Sequence, residues 1–315
     1  MFQGEHINLI KKKTKLLRQV WGGIFLAIVV YFIFQNQKDF TSWNIELSVD
    51  VILLVLILEF MRRGLGALKW AYLYRRYEHS NSVKHNLLPL MRIHFISSLA
   101  LYIPGGVWFV ASKLHLTKKL GYSYSESGHM FAVDMLLTLW MGLAIGAWAL
   151  SSILGERLWL WVIIVALLFT LSIILGVIPA RRILPNKVKS ILNGFSYVSP
   201  RIILTCLCFA FINFLTAGAA IYILMNELNL LQSEQNYFYL TSLFALAWSI
   251  GFLSVFSPNG IGVREGILVM GLGTQTAVMV VILCLRLLSI LPDILWFLIT
   301  YPIKLSAKED VINNE

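Results

Sequence analysis

The chain has 315 residues, of which 58% are hydrophobic and 13% charged, with a mean hydropathy of +0.75 and a formal net charge of +10. Soluble domains carry roughly 25% charged residues, so this composition excludes a disordered chain, speaks against a soluble enzyme and fits a chain whose main solvent is lipid. In such a chain the positive excess reads as lysines and arginines retained in cytoplasmic loops, not as a nucleic-acid surface.

The N-terminus carries Lys11, Lys12, Lys13, Lys15 and Arg18, then an apolar run from Val20 to Phe34. No small-residue cleavage site follows, which makes this a retained first span in preference to a signal peptide. Further apolar runs cover Leu47–Ala71, Met130–Leu150, Leu158–Ile178, Ile202–Met225 and Thr276–Tyr301. Each is long enough for a hydrocarbon core of about 30 Å, which predicts about six full transmembrane helices. Two other apolar stretches are interrupted. Leu87–Ile103 runs into Pro104-Gly105-Gly106, and Phe238–Phe256 runs into Ser257-Pro258-Asn259-Gly260-Ile261-Gly262. Pro and Gly end helices there, and only a short helical piece follows each break. These read as two re-entrant or broken helical hairpins, with a full crossing plus a loop as the open alternative.

The two breaks lie about half the chain apart, the pattern of an internal repeat. With the N-terminus inside and both hairpins returning to their side of entry, the cytoplasmic segments hold 19 Lys/Arg and the outer loops hold Lys38 and Arg157. That bias predicts cytoplasmic termini. It also makes the two hairpins enter from opposite faces, an inverted repeat of transporter type. The expected fold is therefore an all-α polytopic membrane protein forming one transmembrane domain, residues 1–315, with approximate halves 1–155 and 156–315.

Charges at membrane depth cost about 2.5–3.5 kcal/mol each on insertion scales and usually face a cavity or a partner. Glu59 can pair with Arg62 or Arg63, three and four residues on, as a structural pair or a coupling site. Asp134 lies one turn into its span and suits structural pairing or proton coupling. Arg286 and Asp293 lie two turns apart on the last span, Arg286 near mid-depth where snorkelling is hard. The segment Pro258-Asn259-Gly260-Ile261-Gly262-Val263-Arg264-Glu265-Gly266 is the most informative. Gly260 and Gly262 permit unusual backbone angles, and a helix from about Val263 presents free N–H groups and a positive dipole end at the tip. Arg264 beside that tip makes an anion site. Glu265 balances Arg264 as a structural pair, or exchanges a proton. The first break lacks an adjacent Arg–Glu pair; Arg92 and His94 lie on its approach helix, with His94 read as a packed polar residue, and Lys113 follows nine residues after Pro104. Gly142 and Gly146 form a helix-packing G-x-x-x-G. Cys206, Cys208 and Cys284 lie in apolar runs and read as packing residues. The spacing of His, Ser, Asp and Cys predicts no catalytic set, no metal site and no cofactor.

Pro258-Asn259-Gly260-Ile261-Gly262-Val263-Arg264-Glu265-Gly266 resembles the proline–glycine–Arg-Glu signature of the lysylphosphatidylglycerol synthase transmembrane-region family, also called flippase-like proteins. Tyr102-Ile103-Pro104-Gly105-Gly106, followed by Lys118-Lys119-Leu120-Gly121 and the span containing Asp134, is similar to that family's earlier motif, although Trp108-Phe109-Val110 stands where members commonly show Gly-Glu. The resemblance covers about residues 20–300. It implies a bacterial inner-membrane protein lacking the soluble aminoacyl-transfer domain of the two-part members. It further implies a lipid flippase or translocase for an anionic phospholipid or lipid-linked envelope glycan precursor, more transporter than enzyme. Its headgroup ligands would be Arg264, Glu265, Arg286, Arg92, Gly260 and Gly262, with coupling or pairing roles for Glu59, Arg62, Asp134 and Asp293. Its partners would be membrane lipids and a membrane glycosyltransferase or lipid-modifying enzyme. The alternative is a non-transporting partner of such an enzyme.

Overall fold

A computed structural model describes residues 47–76, 86–102, 107–154, 198–254, 260, 262–273, 276–303 and 305. Among these residues every regular element is helical: α1 (Val49–Arg75), α2 (Leu87–Leu99) with a 3-10 turn (Ala100–Tyr102), α3 (Val107–Lys119), α4 (Tyr124–Leu154), α5 (Pro200–Glu227), α6 (Tyr237–Leu253), α7 (Val263–Leu272), α8 (Thr276–Leu288) and α9 (Ile290–Thr300). The expected spans Val20–Phe34 and Leu158–Ile178, both termini, and Pro104, Gly105, Gly106, Pro258, Asn259 and Ile261 lie outside the described residues.

Among the described residues three stretches are long and apolar enough to cross a membrane: Tyr124–Ser152, Pro200–Glu227 and Ala277–Thr300. Their outward faces carry residues such as Leu204, Phe211, Leu295 and Leu298, which are exposed in the isolated chain and suit lipid. Helix α1 has 27 residues, about 40 Å at 1.5 Å per residue. It differs from these three in carrying Glu59, Arg62, Arg63 and Lys69 along its length, with Glu59 and Lys69 buried. In both interrupted stretches an apolar helix is followed by a second short helix: α2 then α3, 13 residues each, and α6 then α7, 17 and 10 residues.

The last apolar run departs from the single uniform span that the sequence suggests. It turns at Ser289 between α8 and α9. Pro292 explains the turn: it has no N–H to give the Leu288 carbonyl four residues back, and its ring crowds that carbonyl. Arg63 Nη2 donates to the Ser289 carbonyl at 3.4 Å, and Ser289 Oγ donates to the Arg286 carbonyl at 2.8 Å. The loosened turn is thus tied to α1.

Helix α6 is wedged between α4 and α5. Gly142 and Gly146 of α4 make the first contact, as their spacing predicts: a Cβ on Gly146 would lie 2.9 Å from Leu246 Cα, and one on Gly142 would meet the Ser249 hydroxyl and Phe214. Gly218 of α5 makes the second, with room for no Cβ against Thr241. Ser242 Oγ stitches the first contact by donating to the Ile145 carbonyl (2.7 Å) and accepting from the Ala149 N–H (2.8 Å). Small residues and short interhelical hydrogen bonds are how helices associate where lipid removes the hydrophobic drive. On the other side, Trp296 of α9 lies between Phe60 of α1 and Phe95 of α2, with ring centroids 4.5 and 5.0 Å away and planes 8° and 3° apart. Its Nε1 donates to the Phe60 carbonyl at 2.8 Å. Helix α9 therefore docks on the first hairpin and on α1 together.

Two lysines that the charge count assigns to cytoplasmic segments are interior. Lys69 in α1 is 6% exposed and Lys113 in α3 is 0% exposed. Their helices continue to Arg75 and Lys119, past the ends of the apolar runs, and the Trp70 ring lies over the Lys113 ammonium, so loop positions inferred from hydropathy begin too early.

Candidate functional site

The tip of the second hairpin is set by its glycines. Gly260 has φ +70° and Gly262 φ +87°, backbone angles in which an L side chain is strained. Gly262 caps α7, and Glu265, three residues in, accepts from the Gly262 N–H at 2.7 Å. That occupies one of the four free donors of the helix start. Glu265 also pairs with Arg286 Nη2 of α8.

This pairing corrects the expected Arg264–Glu265 pair. Neighbours on a helix point about 100° apart, and Glu265 turns to its own helix cap and to α8. Arg264 instead lies along Gly251 of α6 and Gly260: a Cβ at either glycine would stand 2.8 Å from Arg264 Nε. Its guanidinium is 5.7 Å from the Trp248 ring centroid. The Nε is buried with no hydrogen-bond partner, and Arg264 makes no ion pair among the described residues. The charges acting on it are Arg286, Glu265, Arg63 and Arg62. Gly251, Trp248 and Arg63 were not singled out as headgroup residues by sequence. Gly251 sits in an apolar helix where a glycine has many uses, and nothing local marks its facing Arg264.

Around this tip the remaining charges form pairs. Arg62 grips Glu59 through both Nε and Nη2. Arg63, the alternative partner, reaches Asp293 of α9 at 3.4 Å instead. Asp293 also accepts from the Tyr102 hydroxyl at 2.7 Å. Tyr102 is the last described residue before the first break, and Arg286 and Asp293 flank the Ser289 turn. The bent last span therefore touches both hairpins, Arg286 at the second tip and Asp293 at the first. Arg92 makes none of these contacts: its guanidinium lies 5.6 Å from the Tyr301 ring centroid. Asp134 is also separate, paired with Lys69 of α1 at 2.8 Å, where Thr138 accepts a further hydrogen bond from the lysine. His94 is packed between Trp70 and Phe95 and hydrogen-bonds Lys113, consistent with a packed polar residue. Cys206 is buried in the core, Cys208 is exposed and Cys284 is half-buried. Among the described residues no three His, Cys, Asp or Glu side chains gather to hold a metal.

Chemically, the second tip joins a helix start, two glycine-relieved backbone positions and an arginine without an ion-pair partner among the described residues. That combination attracts an anion, and the bidentate geometry of a guanidinium suits phosphate oxygens. Among curated proteins none matches the chain. Residues 19–296 match the family described as lysylphosphatidylglycerol synthase TM region. The apolar spans, the interrupted hairpins and this match agree: the chain belongs to the lysylphosphatidylglycerol synthase transmembrane-region family and is a multi-pass membrane protein.

Proposed function

We propose that the protein is a flippase-type translocase that moves an anionic lipid, a phospholipid or a lipid-linked envelope glycan precursor, across a bacterial inner membrane. The observation that carries this reading is Arg264. It is the tip cation left without a carboxylate among the described residues, because Glu265 is taken by Arg286 and by the helix cap. A headgroup phosphate would supply the missing counter-charge, with Arg264 as its main ligand, the Gly260–Gly262 backbone beside it and Arg286 as a second cation held ready by Glu265. Arg62, Glu59, Arg63 and Asp293 frame the site as neutral pairs. Arg92, over Tyr301, would meet lipid elsewhere on its path. The two interrupted helix pairs support this reading, and their entry from opposite faces of the membrane, as an inverted repeat around this site, is part of the proposal.

The test is reconstitution into vesicles with headgroup-labelled anionic lipid and a membrane-impermeant quencher. Wild-type protein is expected to expose inner-leaflet label, and Arg264→Ala to leave it protected. Protein that binds the lipid but never moves it would make this a lipid-presenting partner of an envelope glycosyltransferase or lipid-modifying enzyme. Orientation is tested separately. The charge bias places both termini in the cytoplasm, so a cysteine introduced at position 310 should stay unlabelled by an impermeant reagent in intact cells.

A further inference from the structure

The first hairpin holds a cation of a different kind. The side chain of Lys113, two turns into α3, is fully buried. Its Nζ lies 3.3 Å from His94 Nδ1 on α2. Three ring faces enclose it: Trp70 of α1 at 4.6 Å, Phe109 of its own helix at 4.5 Å and Phe131 of α4 at 5.8 Å. Among the described residues no carboxylate lies within ion-pair distance of it. Asp134, which does act on it, is held by Lys69. An ammonium has three donors, and here one finds an acceptor while the others meet ring faces, which attract charge but bond weakly.

We infer that Lys113 and His94 form a proton-exchange site set among the membrane helices. Its logic is in the pairing of an amine with an imidazole nitrogen. With the proton on Lys113, the ammonium donates to His94 Nδ1. With the proton gone, the neutral amine accepts from a protonated Nδ1 or donates to a bare one, so the hydrogen bond survives in either state. No bond other than N–H forms or breaks, and one proton enters or leaves. A fixed carboxylate in contact would hold the charge permanently; its absence leaves the site able to discharge.

His94 comes from α2. Lys69 and, through its field at His94, Arg63 come from α1, with Tyr74 beside Trp70. Asp134 comes from α4, and Cys206 of α5 borders the Lys69–Asp134 pair. Tyr102 in the 3-10 turn is engaged by Asp293. On α3 itself, His115, Lys118 and Lys119 are exposed. Lys113 is closed to water in this conformation while His94 beside it is half-buried, and Lys113 lies on the helix that follows the first break. Rocking of α3 against α2 and α4 would open it, which is the requirement for a proton site in alternating access. That use rests on the transport reading above; the existence of the site does not.

The experiment is solid-state NMR of protein labelled with 15N at Lys and His side chains, in vesicles of phosphatidylethanolamine and phosphatidylglycerol, from pH 5 to 9. One Nζ signal, identified by its loss in Lys113→Met, is expected to change between ammonium and amine. One imidazole signal, identified by its loss in His94→Phe, is expected to respond with the same midpoint and to lose that response in Lys113→Met. A Lys113 Nζ that stays an ammonium throughout would make the site a permanent cation–π cage and overturn the proposal. So would independent titration of the two residues. Where Lys113→Met folds poorly, Lys113→Arg removes the same Nζ signal with charge kept, so the test stands. In parallel, lipid movement is measured with and without a pH gradient. Loss of the gradient response in Lys113→Met, with lipid binding kept, supports coupling through this site. A coupled titration without any lipid movement upholds the site and refutes the transport reading alone.

Discussion

The two hairpins share a backbone plan and differ in what they do with their cation. In the first, the positive charge sits two turns beyond the break, fully buried against rings and a histidine. In the second, it stands on the second residue of α7, beside a helix start, in a slot made by Gly251 and Gly260. The difference lies in a few residues. Gly260, Gly262 and the Arg264-Glu265 sequence put a charge at the second tip, while the first follows its break with Val107-Trp108-Phe109 and reaches a cation only at Lys113. Matching architecture therefore does not mean matching chemistry. In the proposed reading one hairpin meets an anion from outside the protein, whereas the other keeps its charge among its own side chains. The bent last span touches both, through Arg286 and Asp293.

The largest expected effect falls on the second tip. Arg264→Ala should bring lipid translocation down to background with expression and melting temperature little changed, since Arg264 holds no ion pair among the described residues. Arg264→Lys should keep partial activity, because charge remains but the two-pronged grip does not. If Lys113→Met abolished headgroup binding as completely as Arg264→Ala does, the contrast between the hairpins would be void.

Next comes the pair that leaves Arg264 unmatched. Glu265→Gln strands Arg286 while leaving an amide oxygen for the Gly262 N–H, and should lower stability by about 2 kcal/mol, less than a fully buried pair because Arg286 is 32% exposed. Adding Arg286→Leu should recover much of that loss. Recovery of melting without recovery of transport would separate the structural role of the pair from Arg286 as a headgroup cation. Unchanged melting in Glu265→Gln would mean that the pair contributes nothing.

Outside the tips, Gly146→Ala should cost about 1–3 kcal/mol by overpacking against the Leu246 backbone. A thermal melt of purified protein in detergent reads it, and a neutral result would refute the close approach of α4 and α6. The smallest effect is expected at the first tip. Tyr102→Phe removes one hydrogen bond to Asp293 and should cost about 1 kcal/mol, while Asp293→Asn, which also releases Arg63, should cost more. Equal losses would show that the Arg63 contact at 3.4 Å carries no weight.

Much of this molecule is legible along the chain. Apolar length marks α4, α5 and the last span, because a helix must satisfy its backbone internally in lipid and needs about 20 residues to cross. Proline and glycine mark both breaks, since their effect on backbone angles is local. Gly142 and Gly146 announce close helix packing for the same reason, and the tip motif carries the family. What only the tertiary structure decides is the partner of each charge. Spacing offered Glu59 two arginines and Glu265 a neighbouring one. The fold gives Glu59 to Arg62 and Arg63 to Asp293, 230 residues away in sequence, and Glu265 to Arg286. It also draws Lys69 and Lys113 out of the expected loops into the interior. A charge pairs with whatever opposite group the packing of other helices brings within a few ångströms. That distance depends on which faces of α1, α7, α8 and α9 meet, a property of the assembled bundle that no single segment contains.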